Sequence, residues 1–223
     1  MTELIVALDA PTSWDNRRLL EKLVDQTPVR FFKLGVAALM SDRTHLLIDE
    51  ITNRYRIRSL DQCARLMLDL KVYDTRDTVA RVVHRAFEIG AHMVTVHATP
   101  SVMGAAMAAK VRATDVVLAV PHLTDQHLGR WSASFSVGAL EACDGIVCPA
   151  SIAAHHRSST CMQEKLLVVP GIRPQGSDAD NHRTAATPGE AIRAGATHVV
   201  VGRPIWQSPD PVAATLAILE EMS

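Results

Sequence analysis

Asp69, Lys71 and Asp74 fall within one nine-residue segment, Leu66-Met67-Leu68-Asp69-Leu70-Lys71-Val72-Tyr73-Asp74. Its apolar positions predict a β-strand with charge at the C-terminal end. Side chains alternate along a strand, so Asp69 and Lys71 share a face, and Asp74 falls just past the strand. Desolvating opposite charges offsets most of their attraction, so a buried ion pair adds little net stability. A charge cluster kept against that cost is a candidate for chemistry; the plainer alternative is an ion pair that ties down the strand end. Lys33, on the preceding strand, is expected beside Asp69. Alternating Lys and Asp keep every member ionised. Such an array can set an ammonium against developing carbanion charge and a carboxylate against a substrate anion about to leave.

A second chemistry is written in Pro170-Gly171-Ile172-Arg173-Pro174-Gln175-Gly176 and Val199-Val200-Val201-Gly202-Arg203-Pro204-Ile205. Glycine lets backbone approach an anion closely, and an arginine can grip phosphate oxygens with two parallel hydrogen bonds. The two loops together predict a phosphate site built around Gly171, Arg173, Gly202 and Arg203. The alternative is that the glycines only make tight turns.

These residues must be held by something, and the chain supplies alternating short apolar runs and longer segments of helical period. Strands are predicted at Leu4–Leu8, Phe31–Leu34, Leu66–Leu70, Met93–His97, Val116–Val120, Gly145–Cys148, Leu166–Val169 and His198–Val201. Helices are predicted at Ser13–Val24, Thr78–Ile89, Ser101–Val111, Pro188–Ala194 and Pro211–Met222. Strand–helix alternation implies a parallel sheet with both faces covered. Eight units in this length favour a single α/β domain over residues 1–223, a closed (β/α)8 TIM barrel, over an open doubly wound sheet. Active sites of such barrels sit at the C-terminal ends of the strands. Asp9, Lys33, Asp69, Lys71, His97, Asp125, Gly171, Arg173, Gly202 and Arg203 all follow or end predicted strands.

The composition narrows the partners. Of 223 residues, 48% are hydrophobic and 21% charged, with a formal net charge of −1, so one large core is affordable and no basic stripe marks a nucleic-acid binder. No apolar run approaches the roughly 20 residues of a membrane span. The start, Met1-Thr2-Glu3-Leu4, lacks a signal-peptide pattern, so a cytoplasmic protein is expected. Cys63, Cys143, Cys148 and Cys161 form no CxxC pair and read as free thiols. His155 and His156 are adjacent and His122 and His127 five apart, spacings that favour ordinary histidines over a metal site.

The residues together resemble the orotidine 5′-phosphate decarboxylase family. The landmarks are Leu8-Asp9, Phe32-Lys33-Leu34-Gly35, Leu68-Asp69-Leu70-Lys71-x-x-Asp74 with Thr78-Val79, Val94-Thr95-Val96-His97-Ala98 and Leu123-Thr124. They continue through Asp144-Gly145-Ile146-Val147-Cys148, Pro170-Gly171-Ile172-Arg173-Pro174, Thr187-Pro188 and Val201-Gly202-Arg203-Pro204-Ile205. The D-x-K-x-x-D pattern also occurs in related barrels acting on sugar phosphates; its combination with GIRP and VVGRPI is more specific. The resemblance implies cofactor-free, metal-free decarboxylation of orotidine 5′-monophosphate to UMP in pyrimidine biosynthesis. By the same resemblance Lys71 protonates C6, Asp69 faces the substrate carboxylate, and Asp74 is lent across a homodimer interface, with Thr78 near the ribose. Asp9 and Lys33 bind ribose hydroxyls, Gln175 and Arg203 hold the 5′-phosphate, and Thr124 with Asp125 lies where the pyrimidine is read.

The sequence also departs from the family pattern. A serine is usual after Leu-Thr where this chain has Asp125, and an ionised aspartate accepts but cannot donate a hydrogen bond. The usual Asp-Ile-Pro-Asn-Thr is here Asp74-Thr75-Arg76-Asp77-Thr78, and the stretch from Asn53 to Gln62 is long and polar. These changes bear on base specificity more than on phosphate binding. The competing expectations are a diverged paralogue, a sister barrel that decarboxylates or cleaves a sugar phosphate with a divalent metal, and a non-catalytic nucleotide-binding protein.

Overall fold

A computed structural model describes residues 2–54, 63–121, 137–175 and 185–223. Eight parallel strands close into a barrel in chain order: β1 (Glu3–Ala7), β2 (Phe31–Gly35), β3 (Arg65–Val72), β4 (Met93–His97), β5 (Val116–Val120), β6 (Gly145–Val147), β7 (Leu166–Val169) and β8 (His198–Val201). Strand β1 pairs with both β2 and β8, so no edge is left open. This is the predicted TIM barrel.

The near-continuous apolar strands bury two faces. Ile5, Ala7, Phe31, Met67, Met93, Leu118, Val120, Val147, Val168 and Val200 fill the barrel interior. The alternate residues, among them Val6, Phe32, Leu34, Leu66, Leu68, Val94 and Val96, form the larger core beneath the helices. Because Leu68 faces outward and Met67 inward, Asp69 follows Met67 into the interior.

The outer layer comprises α1 (Ser13–Gln26), α2 (Val36–Leu39), α3 (Thr44–Asp49) continued by a π-helical turn at Glu50–Arg54, α4 (Arg76–Glu88), α5 (Pro100–Ala108), α6 (Val137–Ala142), α7 (Ala150–Arg157), α8 (Pro188–Arg193), α9 (Arg203–Trp206) and α10 (Pro211–Glu221). Helix starts follow the sequence chemistry. Thr12 accepts from the Asp15 N–H, Asp210 from those of Val212 and Ala213, and Thr187 with Glu190 closes a reciprocal capping box before Pro188.

The five predicted helices are present with shifted ends. Helix α5 stops three residues early because the Asp115 carboxylate takes the N–H groups of Val111 and Arg112 and an Arg112 Nε contact at 2.6 Å, turning the chain. Helices α2, α3, α6, α7 and α9 were not predicted; at four to eight residues each they are too short to show a helical period. Among the described residues no helix is long and apolar enough to cross a membrane.

Candidate active site

At the C-terminal mouth of the barrel lies a cavity of about 400 Å³. Asp9, Lys33, Asp69, Lys71, Gly171, Arg173, Gly202 and Arg203 line it, over an apolar floor of Ala7, Val120, Val147 and Val200. Eight of the residues singled out in the sequence therefore converge on one concavity.

The charge cluster is a chain of contacts. Lys71 Nζ lies 2.7 Å from Asp69 Oδ1. Lys33 Nζ lies 3.5 Å from Asp69 Oδ2 and 3.3 Å from Asp9 Oδ2. Lys33 is buried because Phe31 and Lys33 share the inward face of β2, whose register sets Gly35 opposite Asp69. A side chain at Gly35 would crowd this array, since a Cβ there would sit 3.3 Å from Lys33 Nζ and 3.5 Å from Asp9 Oδ1.

Burial alone would raise the Asp69 carboxyl. The ammoniums of Lys33 and Lys71, with hydrogen bonds from Lys71 and Thr95, outweigh it and hold that carboxyl below its ordinary value. Asp69 is thus an anion held between two cations.

Strand β3 reaches this arrangement by breaking its ladder. Leu68 pairs with Val94 and Val72 with Val96, so Asp69, Leu70 and Lys71 stand opposite the single residue Thr95. Within this bulge Lys71 adopts φ 49°, the left-handed region, at a cost of about 1–3 kcal/mol for a residue with a side chain. Its N–H donates to Thr95 Oγ1 at 2.9 Å, and the Thr95 hydroxyl donates to Asp69 Oδ1 at 2.9 Å.

The opposite wall carries the arginines. Gly171 has φ 76°, a conformation that favours glycine, and lets the chain turn off β7. The turn is anchored where Ile172 bridges Ala186 and the Arg173 N–H donates to the Ala186 carbonyl at 2.9 Å. Gly202 lies close to β1, its Cβ position 3.3 Å from Ala7 Cβ. Arg203 then begins α9, and its guanidinium has no ion-pair partner among the described residues. Two guanidiniums across the cavity from two ammoniums suit a ligand with a phosphate at one end and a second anionic group at the other.

Not every expected residue reaches the cavity. Asp74 is exposed, and its Oδ1 accepts from the Thr75 N–H at 2.7 Å. Thr78 lies on α4, with its hydroxyl 3.1 Å from that of Thr75. Gln175 is exposed, its N–H facing the Glu221 carboxylate at 3.3 Å. None of the three lines the cavity. Thr124 and Asp125 lie outside the described residues. His97 packs its ring against Tyr73, centroids 5.1 Å apart.

Two residues of the site were missed in the sequence. Thr95 is fully buried, and its signal was a hydroxyl alternating with Met93 and His97 on the inward face of β4. Trp206 lines the cavity, and its signal was an aromatic residue three positions after Arg203.

Comparison with known proteins agrees with this geometry. The orotidine 5′-phosphate decarboxylase / HUMPS family pattern matches residues 2–218. The orotidine 5′-phosphate decarboxylase of Caulobacter vibrioides (strain NA1000 / CB15N) is 37% identical over 236 aligned positions, covering 99% of this chain and 97% of that protein. The enzyme of the same name from Rhodopseudomonas palustris (strain HaA2) is 34% identical, covering 99% and 94% respectively. The crystal structure of orotidine 5′-phosphate decarboxylase from Lactobacillus acidophilus superposes with a TM-score of 0.77 at 27% identity over the full length of both chains. With a family pattern spanning nearly the whole chain and relatives above 30% identity at full length, the chain belongs to the orotidine 5′-phosphate decarboxylase / HUMPS family.

Proposed function

We propose that the chain, working as one barrel domain, decarboxylates orotidine 5′-monophosphate to UMP with Lys71 as the proton donor. The observation that carries this reading is the Lys33–Asp69–Lys71 array facing Arg173 and Arg203 across one cavity. Arg203 and Arg173 hold the 5′-phosphate, and Asp9 and Lys33 meet the ribose. These contacts place the pyrimidine's C6 and its carboxylate over Asp69 and Lys71. The C6–carboxylate bond breaks, carbon dioxide leaves, and the electron pair stays on C6 as a carbanion. Lys71 gives that carbon its proton and is reprotonated from water. The ammonium meets a charge that exists only as the bond breaks, so its stabilisation is specific to the transition state. Phosphate contacts remote from C6 supply the binding energy that sets two carboxylates near each other. The setting this implies is a cytoplasmic enzyme acting on a free mononucleotide.

The same reading includes a homodimer, in which a second copy supplies Asp74 and Thr78. Its support is the exposure of Asp74 together with Val36, Met40 and Tyr73, apolar side chains left in solvent just past the neighbouring strands β2 and β3. Mixing a Lys71→Ala protein with an Asp74→Ala protein tests the sharing. A mixed dimer holds one site with both residues intact, so activity returns from two inactive parents; absence of recovery after subunit exchange counts against it.

The deciding assay follows orotidine 5′-monophosphate by ultraviolet absorbance, using protein treated with EDTA. Conversion to UMP is expected, with Lys71→Ala inactive but still binding UMP. Tight UMP binding without turnover would replace decarboxylation with another reaction on the same phosphate site. Activity that returns only with a divalent cation would favour the sister barrels, which need a Lewis acid for an enediolate.

A further inference from the structure

We propose that Thr95 is a positioning residue of the site, its one hydroxyl fixing both the backbone of Lys71 and the carboxylate of Asp69. This rests on the reading of Lys71 as the proton donor.

The hydroxyl closes a ring of contacts. The Lys71 N–H donates to Thr95 Oγ1, Thr95 Oγ1 donates to Asp69 Oδ1, and Lys71 Nζ returns to the same Oδ1 at 2.7 Å. Lys71 is therefore held at its backbone and at its tip, with Thr95 and Asp69 between. The hydroxyl has one proton, and the incoming Lys71 N–H occupies a lone pair and aims that proton at the carboxylate. β-Branching stiffens the side chain about its first torsion, so the hydroxyl's direction is set by the strand.

Position in the fold makes this more than local satisfaction. The other buried threonines among the described residues, Thr27, Thr44, Thr52 and Thr215, each donate to a backbone carbonyl within six residues. Thr95 instead donates to a carboxylate 26 residues away that lines the cavity. It also stands alone opposite the three-residue bulge, where a side-chain hydroxyl takes the Lys71 N–H. Without that hydroxyl the Lys71 N–H loses the β4 partner that holds it at φ 49° between the flanking Leu68–Val94 and Val72–Val96 pairs, so the backbone that aims the lysine is less firmly fixed. The same hydrogen bond favours ionised Asp69, a smaller contribution beside those of Lys33 and Lys71, which together outweigh burial.

Thr95→Val keeps the shape and removes the hydroxyl. Loss of a hydrogen bond to a charged group corresponds to about a ten- to hundredfold drop. That drop is expected in kcat for orotidine 5′-monophosphate, with KM changed less than about threefold. Thr95→Ser is expected to recover kcat to within about threefold. Independently of turnover, exchange of the Lys71 amide hydrogen should accelerate about tenfold or more in Thr95→Val and not in Thr95→Ser. Thr95→Ala replaces the valine variant if that protein does not fold. Valine turnover within twofold of the parent, a serine variant as impaired as valine, or unchanged Lys71 amide exchange would each overturn the proposal. If the parent protein does not convert the nucleotide, the decarboxylase reading fails, and the amide exchange still decides the role of Thr95.

Discussion

Replacing Asp69 by asparagine removes one charge and keeps the side-chain shape, so it isolates what the carboxylate contributes between its two lysines. At an effective dielectric of about 20, charges at 2.7 Å and 3.5 Å attract by about 6 and 5 kcal/mol, before desolvation is subtracted. Deleting one partner of a buried pair costs about 3–5 kcal/mol. Here Lys71 is 35% exposed and partly screened, and Lys33 keeps Asp9 at 3.3 Å. The expected loss is therefore smaller, about 2–4 kcal/mol at pH 7, or roughly 5–15 °C in melting temperature for a domain of this size. The pH dependence supplies an independent check. The carboxyl is depressed in the folded state, so its contribution is complete above the ordinary value of 3.8 and is lost as pH falls through the lower folded value. Melting curves of parent and variant should be well separated at pH 7 and converge only below pH 3.8. A separation under about 2 °C at pH 7, or convergence already at pH 6, would refute the account of Asp69 as an anion stabilised by both lysines.

Arg203→Ala is expected to weaken UMP binding by about a hundredfold or more while leaving uridine within threefold, because two charge-assisted hydrogen bonds are lost only with the phosphate; calorimetry on both ligands decides, and equal losses would remove Arg203 from the phosphate site. Arg157 donates to the carbonyls of Met162, Gln163, Lys165 and Gly195 at 2.7–3.2 Å, far from the cavity. Arg157→Ala should cost about 2–4 kcal/mol in denaturant unfolding with kcat unchanged. Burial lowers the His198 imidazole, with Glu3 opposing and Arg65 assisting, and lowers that of His156 with help from His155. The unfolded chain then binds protons that the folded chain refuses, so stability falls as pH drops below 6.5. His198→Gln should flatten the melting temperature between pH 7 and 5.5; an unchanged slope would discard this cause.

What the sequence made legible follows the strength of its signals. Eight apolar runs predicted the barrel, and alternation placed Lys33 and Asp69 on the inward face; Lys71 reaches the same cluster through a bulge rather than through regular alternation. Alternation could not reveal the bulge, because three residues opposite one is a property of the pairing with β4 and not of β3 itself. Thr95 was hidden for the same reason: a lone threonine between apolar residues is ordinary strand composition until its partner strand is known. Trp206 was hidden by the four-residue length of α9, too short to show a face. The roles given to Asp74 and Gln175 came from the family resemblance, and in the single chain both sit outside the cavity.

Trp206 gives the cavity an optical property of its own. The chain has three tryptophans; Trp14 is 62% exposed on the first turn of α1, while Trp206 stands in the wall beside Arg203, its Nε1 3.9 Å from where a Cβ at Gly202 would lie. Indole emission responds to the polarity and charge around the ring. With Trp131, which lies outside the described residues, replaced by phenylalanine, a phosphate arriving at Arg203 is expected to change the surroundings of the one wall tryptophan and leave the solvent-facing one as a constant background. Occupancy of the site can be followed by intrinsic fluorescence, without a label and without waiting for a reaction.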